Sequence, residues 1–269
     1  MKFCGKSDVG MHRQVNQDSY RALQIWNDEA TLLVVCDGMG GHNAGEIASS
    51  TAVNIFCEKI ASSQCEETEP EKILEFIRYT LVCAASEANA AVFRLAVEND
   101  DYQGMGTTLV AAIIYGGCFY AINIGDSRFY IITQEETTLV TKDHSFVQYL
   151  IDNGKLSEEE AKDCPRKNVI TRAVGIADKL DIDFFSAPLE PWKNGYLLLC
   201  SDGLSNYLDQ QVMEEILFSS PHWFASQEDD LSRKADSLIA FANEQGGSDN
   251  ITAVLARFNV QDDERDERT

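Results

Sequence analysis

The sequence predicts an α+β fold, with antiparallel sheets inside and helices on the outside. Three observations carry this prediction. Strand-like and helix-like stretches come in runs rather than in strict β–α–β alternation. Gly116-Gly117 separates two apolar runs, as the tip of a tight hairpin does. The 269 residues, 44% of them hydrophobic, show no linker-like stretch and no repeat of roughly 20–50 residues. They suffice for one large core or two small ones.

The first forty residues hold strand-like runs at 3–7, 18–26 and 31–36. A helix is expected over 43–62, where Ile47, Val53, Ile55, Phe56 and Ile60 supply an apolar face and Asn43 an N-cap. A long helix follows from Pro70, a residue suited to a first turn, to about 97. Strands are expected at 107–115, 118–124, 128–133 and 138–141. Residues 143–177 then turn polar and helical, with short helices near 144–153 and 157–164, and read as a surface flap. Strands return at 181–187 and 196–201, helices at 209–218 and 231–244, and a last strand at 251–258. The domain so defined spans 1–258. Residues 259–269, acidic and almost without apolar side chains, read as a frayed tail.

The net charge of −22 repels nucleic acid backbones and anionic membranes, so neither is expected as a partner. No stretch reaches the roughly 18 apolar residues of a membrane span. The N-terminus (Met1-Lys2-Phe3-Cys4-Gly5-Lys6) lacks the apolar core of a signal peptide. A cytoplasmic location and, with no evident interface pattern, a monomer are the expectations. Of the eight cysteines, several sit inside apolar runs and none is spaced CxxC, so neither a structural zinc site nor a disulfide framework is expected.

The chemistry is carried by aspartates at strand ends. The run Val34-Val35-Cys36 leads into Asp37-Gly38-Met39-Gly40-Gly41-His42, which delivers one carboxylate to a turn where the backbone is bare. Alone this is also the commonest kind of turn. The pattern recurs, however, at Ile124-Gly125-Asp126 and at Leu199-Cys200-Ser201-Asp202-Gly203. It appears inverted at Gly247-Ser248-Asp249-Asn250 before Ile251. Carboxylates, a backbone carbonyl and room for water make a ligand set for Mg²⁺ or Mn²⁺ rather than zinc. Arg13, five residues before Asp18, is either an ordinary surface ion pair or a phosphate anchor. Two such cations sharing a carboxylate can activate water for in-line attack, and an arginine can hold phosphoryl oxygens. Together these parts make a phosphomonoester hydrolase.

The ordered set RxxNQD (13–18), DGMGGH (37–42), GMGTTL (104–109), GDSRFY (125–130), KDHS (142–145), TRAVG (171–175), SDGL (201–204) and SDNIT (248–252) resembles the metal-dependent Ser/Thr protein phosphatases of the PPM, or type 2C, family, in their compact bacterial form. The resemblance implies a central sandwich of two antiparallel β-sheets flanked by helices on both faces, with a small flap. By motif, Asp37 resembles the carboxylate bridging two Mn²⁺ or Mg²⁺ ions. Gly38 would give its carbonyl to one ion, and Asp202 and Asp249 would complete the other. Asp18 would hold metal-bound water, Asp126 with Asp202 a third ion, and Arg13 the phosphate.

One position departs from the eukaryotic pattern. Where many eukaryotic relatives carry a histidine proposed as general acid, this chain has Met39, which cannot donate a proton. His42 is either that acid, directly or through water, or a buried or helix-capping residue. His144 reads as structural at the flap hinge, and His12 and His222 as surface residues. Thr107 and Thr108 read as packing residues at a strand start, Ser127 and Arg128 as groups that orient Asp126, and Thr171 and Arg172 as the flap base. Cys36 and Cys200, beside carboxylates, are expected to be inert thiols.

The implied function is dephosphorylation of phosphoserine and phosphothreonine in proteins, opposing a bacterial Ser/Thr kinase. The alternative is a phosphatase-like module that binds phosphoproteins without hydrolysing them, but the chain keeps Asp37, Asp126, Asp202 and Asp249.

Overall fold

The computed structural model describes residues 1–41, 44–162, 164–218 and 227–260. Two antiparallel sheets pack face to face. One is built from β1 (Lys2–Asp8), β11 (Ile251–Asn259), β10 (Asn194–Cys200), β7 (Arg128–Ile132) and β8 (Thr137–Leu139), in that spatial order. The other runs β2 (Asp18–Ile25), β3 (Ala30–Met39), β5 (Leu109–Tyr115), β6 (Cys118–Ile124) and β9 (Asp183–Pro188), with the two-residue β4 (Gly106–Thr107) also paired to β3.

The two-residue period of a strand divides the core into layers. In β3, Leu33 and Val35 point between the sheets, where they meet Val110, Phe129, Leu197, Leu199 and Val254. Leu32, Val34 and Cys36 point the other way, onto helices α1 (Ala44–Ala61) and α2 (Pro70–Glu98). The outer face of the first sheet is covered likewise. Leu198, Cys200, Ala253 and Leu255 pack against α5 (Asp202–Ser205), α6 (Gln210–Phe218) and α7 (Gln227–Glu244). Because both faces of each sheet are buried, the central strands are apolar throughout instead of alternating. Truncating a residue such as Leu33 to Ala would cost about 2–5 kcal/mol.

Contrary to the expectation that no stretch is long and apolar enough, α2 could cross a membrane by length and composition. It instead lays Ile77, Leu81, Ala84, Ala85, Ala88 and Val92 on the sheet. Pro70 occupies its first turn, as expected.

Between β8 and β9 the chain leaves the sandwich for α3 (Phe146–Asp152) and α4 (Glu158–Lys162). Ser145 caps α3, its hydroxyl accepting the Gln148 N–H at 3.2 Å. Ser157 and Glu160 form a reciprocal capping box at the start of α4, with bonds of 3.2 and 2.9 Å. The two ends of this excursion meet through an antiparallel bridge between Ser145 and Ile170. The last strand runs to Asn259, one residue into the expected tail, and residues 261–269 lie outside the described residues.

Candidate active site

Antiparallel register explains how aspartates more than two hundred residues apart reach one place. Asp18 opens β2 and is the register partner of Asp37 near the end of β3. In the other sheet, Cys200 at the end of β10 pairs with both Arg128 at the start of β7 and Ala253 near the start of β11. Asp126, Asp202 and Asp249 each lie two residues beyond those strand ends, so all three fall on the same edge of the sandwich. Arg13, on the loop after β1, joins them: its Nη2 donates to Asp249 Oδ2 at 2.8 Å.

Each carboxylate is held by groups of different kinds. Asp18 is buried, and its Oδ2 accepts from the Thr252 hydroxyl at 2.6 Å and the Ser201 hydroxyl at 2.7 Å. Its other oxygen, Oδ1, is buried with no hydrogen-bond partner. Asp37 is fixed through its backbone. Its N–H donates to Thr108 Oγ1 at 2.8 Å, and its carbonyl accepts from the Thr108 N–H at 2.8 Å and the Thr107 hydroxyl at 2.9 Å. Thr108 in turn shares a 2.7 Å bond with the Ser127 hydroxyl beside Asp126. Thr107 and Thr108 are therefore buried, as packing residues are, but they also set the position of Asp37. Gly38 lies so close to the first turn of α1 that an added Cβ would stand 2.1 Å from the Gly45 carbonyl oxygen and 2.5 Å from that of Gln17.

The cleft is electrostatically strained without cations. Burial, with the neighbouring charges of Asp202 and Asp249, raises Asp18 to about 7 against the hydrogen bonds of Thr252 and Ser201. Burial, then Asp202 and Asp143, raises Asp126 to about 7. Asp37 is pushed well above the carboxylate range by burial and then by Asp18, Asp202, Asp126 and Asp249. Asp202 is raised by burial and then by Asp249. Burial also pushes the Cys36 thiol well up and Cys200 up to about 12, which holds both protonated.

A cavity of about 660 Å³ extends from Asp126 and Asp202 to the inner side of α3 and α4. Asp143 lines it and accepts a two-pronged bond from Arg128 at 2.9 and 2.8 Å. Arg128 is thus occupied by Asp143 and by Tyr130, whose hydroxyl it meets at 3.1 Å.

Asp18, Asp126, Asp202 and Asp249 all lie within electrostatic reach of Asp37, and Arg13 pairs with Asp249, so these residues gather at one end of the sandwich. His42 lies outside the described residues, as do His222 and the expected cap Asn43. His12 is exposed, and His144 is buried under the flap base. Sequence reasoning missed Ser201, Thr252, Asn250 and Asp143. Asn250 accepts the Gln17 N–H at 2.8 Å and donates to the carbonyls of Val9 and Val15 at 2.9 and 3.0 Å, lashing down the loop that carries Arg13. All four adjoin recognised motif aspartates or sit within the same motifs. Their direction of pointing, which the sequence does not show, is what lets them hold the neighbouring carboxylates, arginine and loop.

Among the described residues no three or more acidic, His or Cys side chains converge closely enough, as they stand, to hold a metal ion by themselves. Mg²⁺ and Mn²⁺ keep much of their water when bound. The unpartnered Asp18 Oδ1 suits such a water-rich shell, because it needs a donor that no protein group supplies.

A family profile described as protein phosphatase 2C matches residues 10–241. The chain is 38% identical over 261 residues to the serine/threonine phosphatase Stp of Listeria innocua, covering 97% of both chains. It is 38% identical over 259 residues to the protein phosphatase PhpP of Streptococcus pneumoniae, covering 96% of this chain and 98% of that one. The serine/threonine phosphatase of S. agalactiae superposes with a TM-score of 0.84 at 34% identity, covering 96% and 99%. The catalytic domain of the phosphatase PstP, solved with two manganese ions, superposes with a TM-score of 0.76 at 30% identity, covering 96% and 98%.

Proposed function

Because the chain belongs to the protein phosphatase 2C family, we propose that it is a metal-dependent protein serine/threonine phosphatase that uses Mn²⁺ or Mg²⁺. The observation that carries this reading is the meeting of Asp18, Asp37, Asp126, Asp202 and Asp249 with Arg13 at one end of the sandwich, where one carboxylate oxygen is buried without a donor. The named activities of the bacterial relatives support it, and the two manganese ions in PstP support a two-cation site.

Asp37, the Gly38 carbonyl, Asp202 and Asp249 would hold two ions, Asp37 shared between them, and Asp126 with Asp202 would hold a third. When bound, the cations supply an activated water and neutralise charge on the phosphoryl oxygens. Asp18 would hold and orient water through Oδ1, while Thr252 and Ser201 occupy Oδ2. Arg13 offers planar donors to the phosphoryl group, with Asp249 keeping the guanidinium at the rim. Met39 cannot protonate the leaving oxygen, so His42, directly or through water, is the proposed acid.

The substrates are phosphorylated proteins, and the physiological counterpart is a bacterial Ser/Thr kinase whose products the enzyme reverses. The net charge of −22 argues against nucleic acid and membrane partners. A cytoplasmic monomer completes the proposal. The test is phosphate release from a phosphothreonine peptide by purified protein with Mn²⁺, with Mg²⁺ and with EDTA. Release that requires either cation and vanishes with chelator is expected. No release with any cation from folded protein would overturn the reading in favour of a phosphoprotein-binding module.

A further inference from the structure

Among the described residues, His144 stands out as a buried titratable group that the proposed chemistry does not use. It sits where the two ends of the flap meet. Its carbonyl accepts the Thr171 N–H at 2.7 Å, beside the Ser145–Ile170 bridge. It also grips the turn that carries Asp126. The Gly125 N–H donates to His144 Nδ1 at 3.1 Å, and the His144 N–H donates to the Gly125 carbonyl at 2.9 Å. Asn123 Nδ2 reaches the same carbonyl at 3.1 Å. Gly125 needs this support, because its φ of +111° is left-handed and an added Cβ would lie 2.6 Å from Thr108.

The tautomer follows from these bonds. Since Nδ1 accepts from Gly125, a neutral ring carries its proton on Nε2. That proton faces Asp183 Oδ2, 3.2 Å away, in a crowded fork where Nε2 also lies 2.9 Å from Arg172 Nη1. Burial holds His144 below its usual range, which keeps the ring neutral. Arg172 donates to Asp183 Oδ1 at 2.7 Å and pairs with Asp181 at 2.7 Å, fixing the carboxylate that selects the tautomer. This carboxylate–imidazole–turn chain has the logic of an outer partner that orients a metal ligand through hydrogen bonds.

We propose that His144, held by Asp183 and Arg172, is a positioning residue that presents the Gly125 turn so that Asp126 can take its divalent cation. The inference rests on the reading of Asp126 as a cation ligand. His144 touches neither substrate nor cation, and acts through the Gly125 peptide.

Two isosteric halves of the ring separate positioning from bulk. In His144→Asn, Oδ1 replaces Nδ1 as the acceptor for Gly125. In His144→Gln, the amide reaches toward Asp183 but leaves Gly125 without its acceptor. Two measurements apply to the full chain: equilibrium Mn²⁺ binding by electron paramagnetic resonance, and hydrogen exchange of the Gly125 amide in metal-free protein. The relevant binding step is the one lost in Asp126→Asn. The Gln variant is expected to weaken that step by about 10–100-fold and to exchange the Gly125 amide faster. The Asn variant should stay near wild type in both.

Equal behaviour of the two variants, whether both weak or both intact, would overturn the proposal. Should neither variant fold, Asp183→Asn replaces them. It is expected to weaken the same step and speed Gly125 exchange, and wild-type values in both would overturn the proposal. Failure of the phosphatase reading would look different, as wild-type protein that binds Mn²⁺ yet releases no phosphate.

Discussion

Asp18 and Asp37 face each other as register partners across the β2–β3 ladder, two carboxylates directly opposed on neighbouring strands. Like charges so placed destabilise a sheet, and here only one oxygen of Asp18 is compensated by hydroxyl donors. Such a pair is tolerable when a cation or a proton neutralises it, which gives the metal-free protein a distinctive pH response.

The sign of that response follows from the two carboxyls raised to about 7, Asp18 and Asp126. Between their ordinary range near 4 and about 7 the folded chain binds more protons than the unfolded chain. Their contribution to stability is therefore full below about pH 4 and is lost as the pH rises through about 7. In EDTA, Tm is expected to climb as the pH is lowered from about 7.5 to about 6. Mn²⁺ should raise Tm more at the higher pH, because cation binding must displace protons. A metal-free Tm that falls over that interval would contradict the assignment of these carboxyls to a strained cluster.

Asp37→Asn and Asp202→Asn each remove one charge from the proposed cation ligands while preserving shape. Phosphate release from a phosphothreonine peptide should fall by about a thousandfold, the scale of several kcal/mol of lost charge stabilisation. Metal-free Tm should hold or rise, because a repelled charge has been deleted. Activity within tenfold of wild type in either variant would exclude that residue as a ligand.

Arg13→Ala should lower kcat/KM by about 10–100-fold, the loss of charge-assisted bonds worth roughly 1.5–3 kcal/mol. Its pair with Asp249 is half exposed, so stability should change by less than about 1 kcal/mol. Arg13→Lys keeps the charge without the planar fork and should recover only part of the activity. Steady-state kinetics beside thermal melts separates this outcome from general unfolding.

Gly38→Ala places a methyl group 2.1 Å from the Gly45 carbonyl oxygen and 2.5 Å from that of Gln17. Both obstacles are backbone, so β3 must shift against α1. A destabilisation of about 1–3 kcal/mol is expected, with a weaker Mn²⁺ dependence, measured by denaturant titration and by cation titration of activity. Wild-type values in both would show that the α1 contact is not as close as described.

Much of the architecture was legible because it rests on local signals. Gly116-Gly117 does close the hairpin between β5 and β6, and Pro70 does open α2. The single strand expected over 107–115 is interrupted at Thr108, whose side chain takes the Asp37 N–H. That exchange of a backbone acceptor for a hydroxyl joins residues 71 positions apart and leaves no trace in local composition. The same holds for Ser201 and Thr252, which meet on one oxygen of Asp18 from the ends of the neighbouring strands β10 and β11 across the sandwich.

By itself, the sequence determined which residues carry the charge and which strands carry them. Apolar runs ending in Asp37, Asp126 and Asp202, and the one beginning after Asp249, are properties of neighbouring residues, as are the turns that follow. Only the tertiary structure decided what those carboxylates lack and what holds them. The empty Oδ1 of Asp18, the hydroxyl relay from Ser127 through Thr108 to Asp37, and the grip of His144 on Gly125 all depend on the register between strands distant in sequence. Hydrogen bonds are short-ranged and directional, so partners on opposite sheets become partners only after the sandwich has closed.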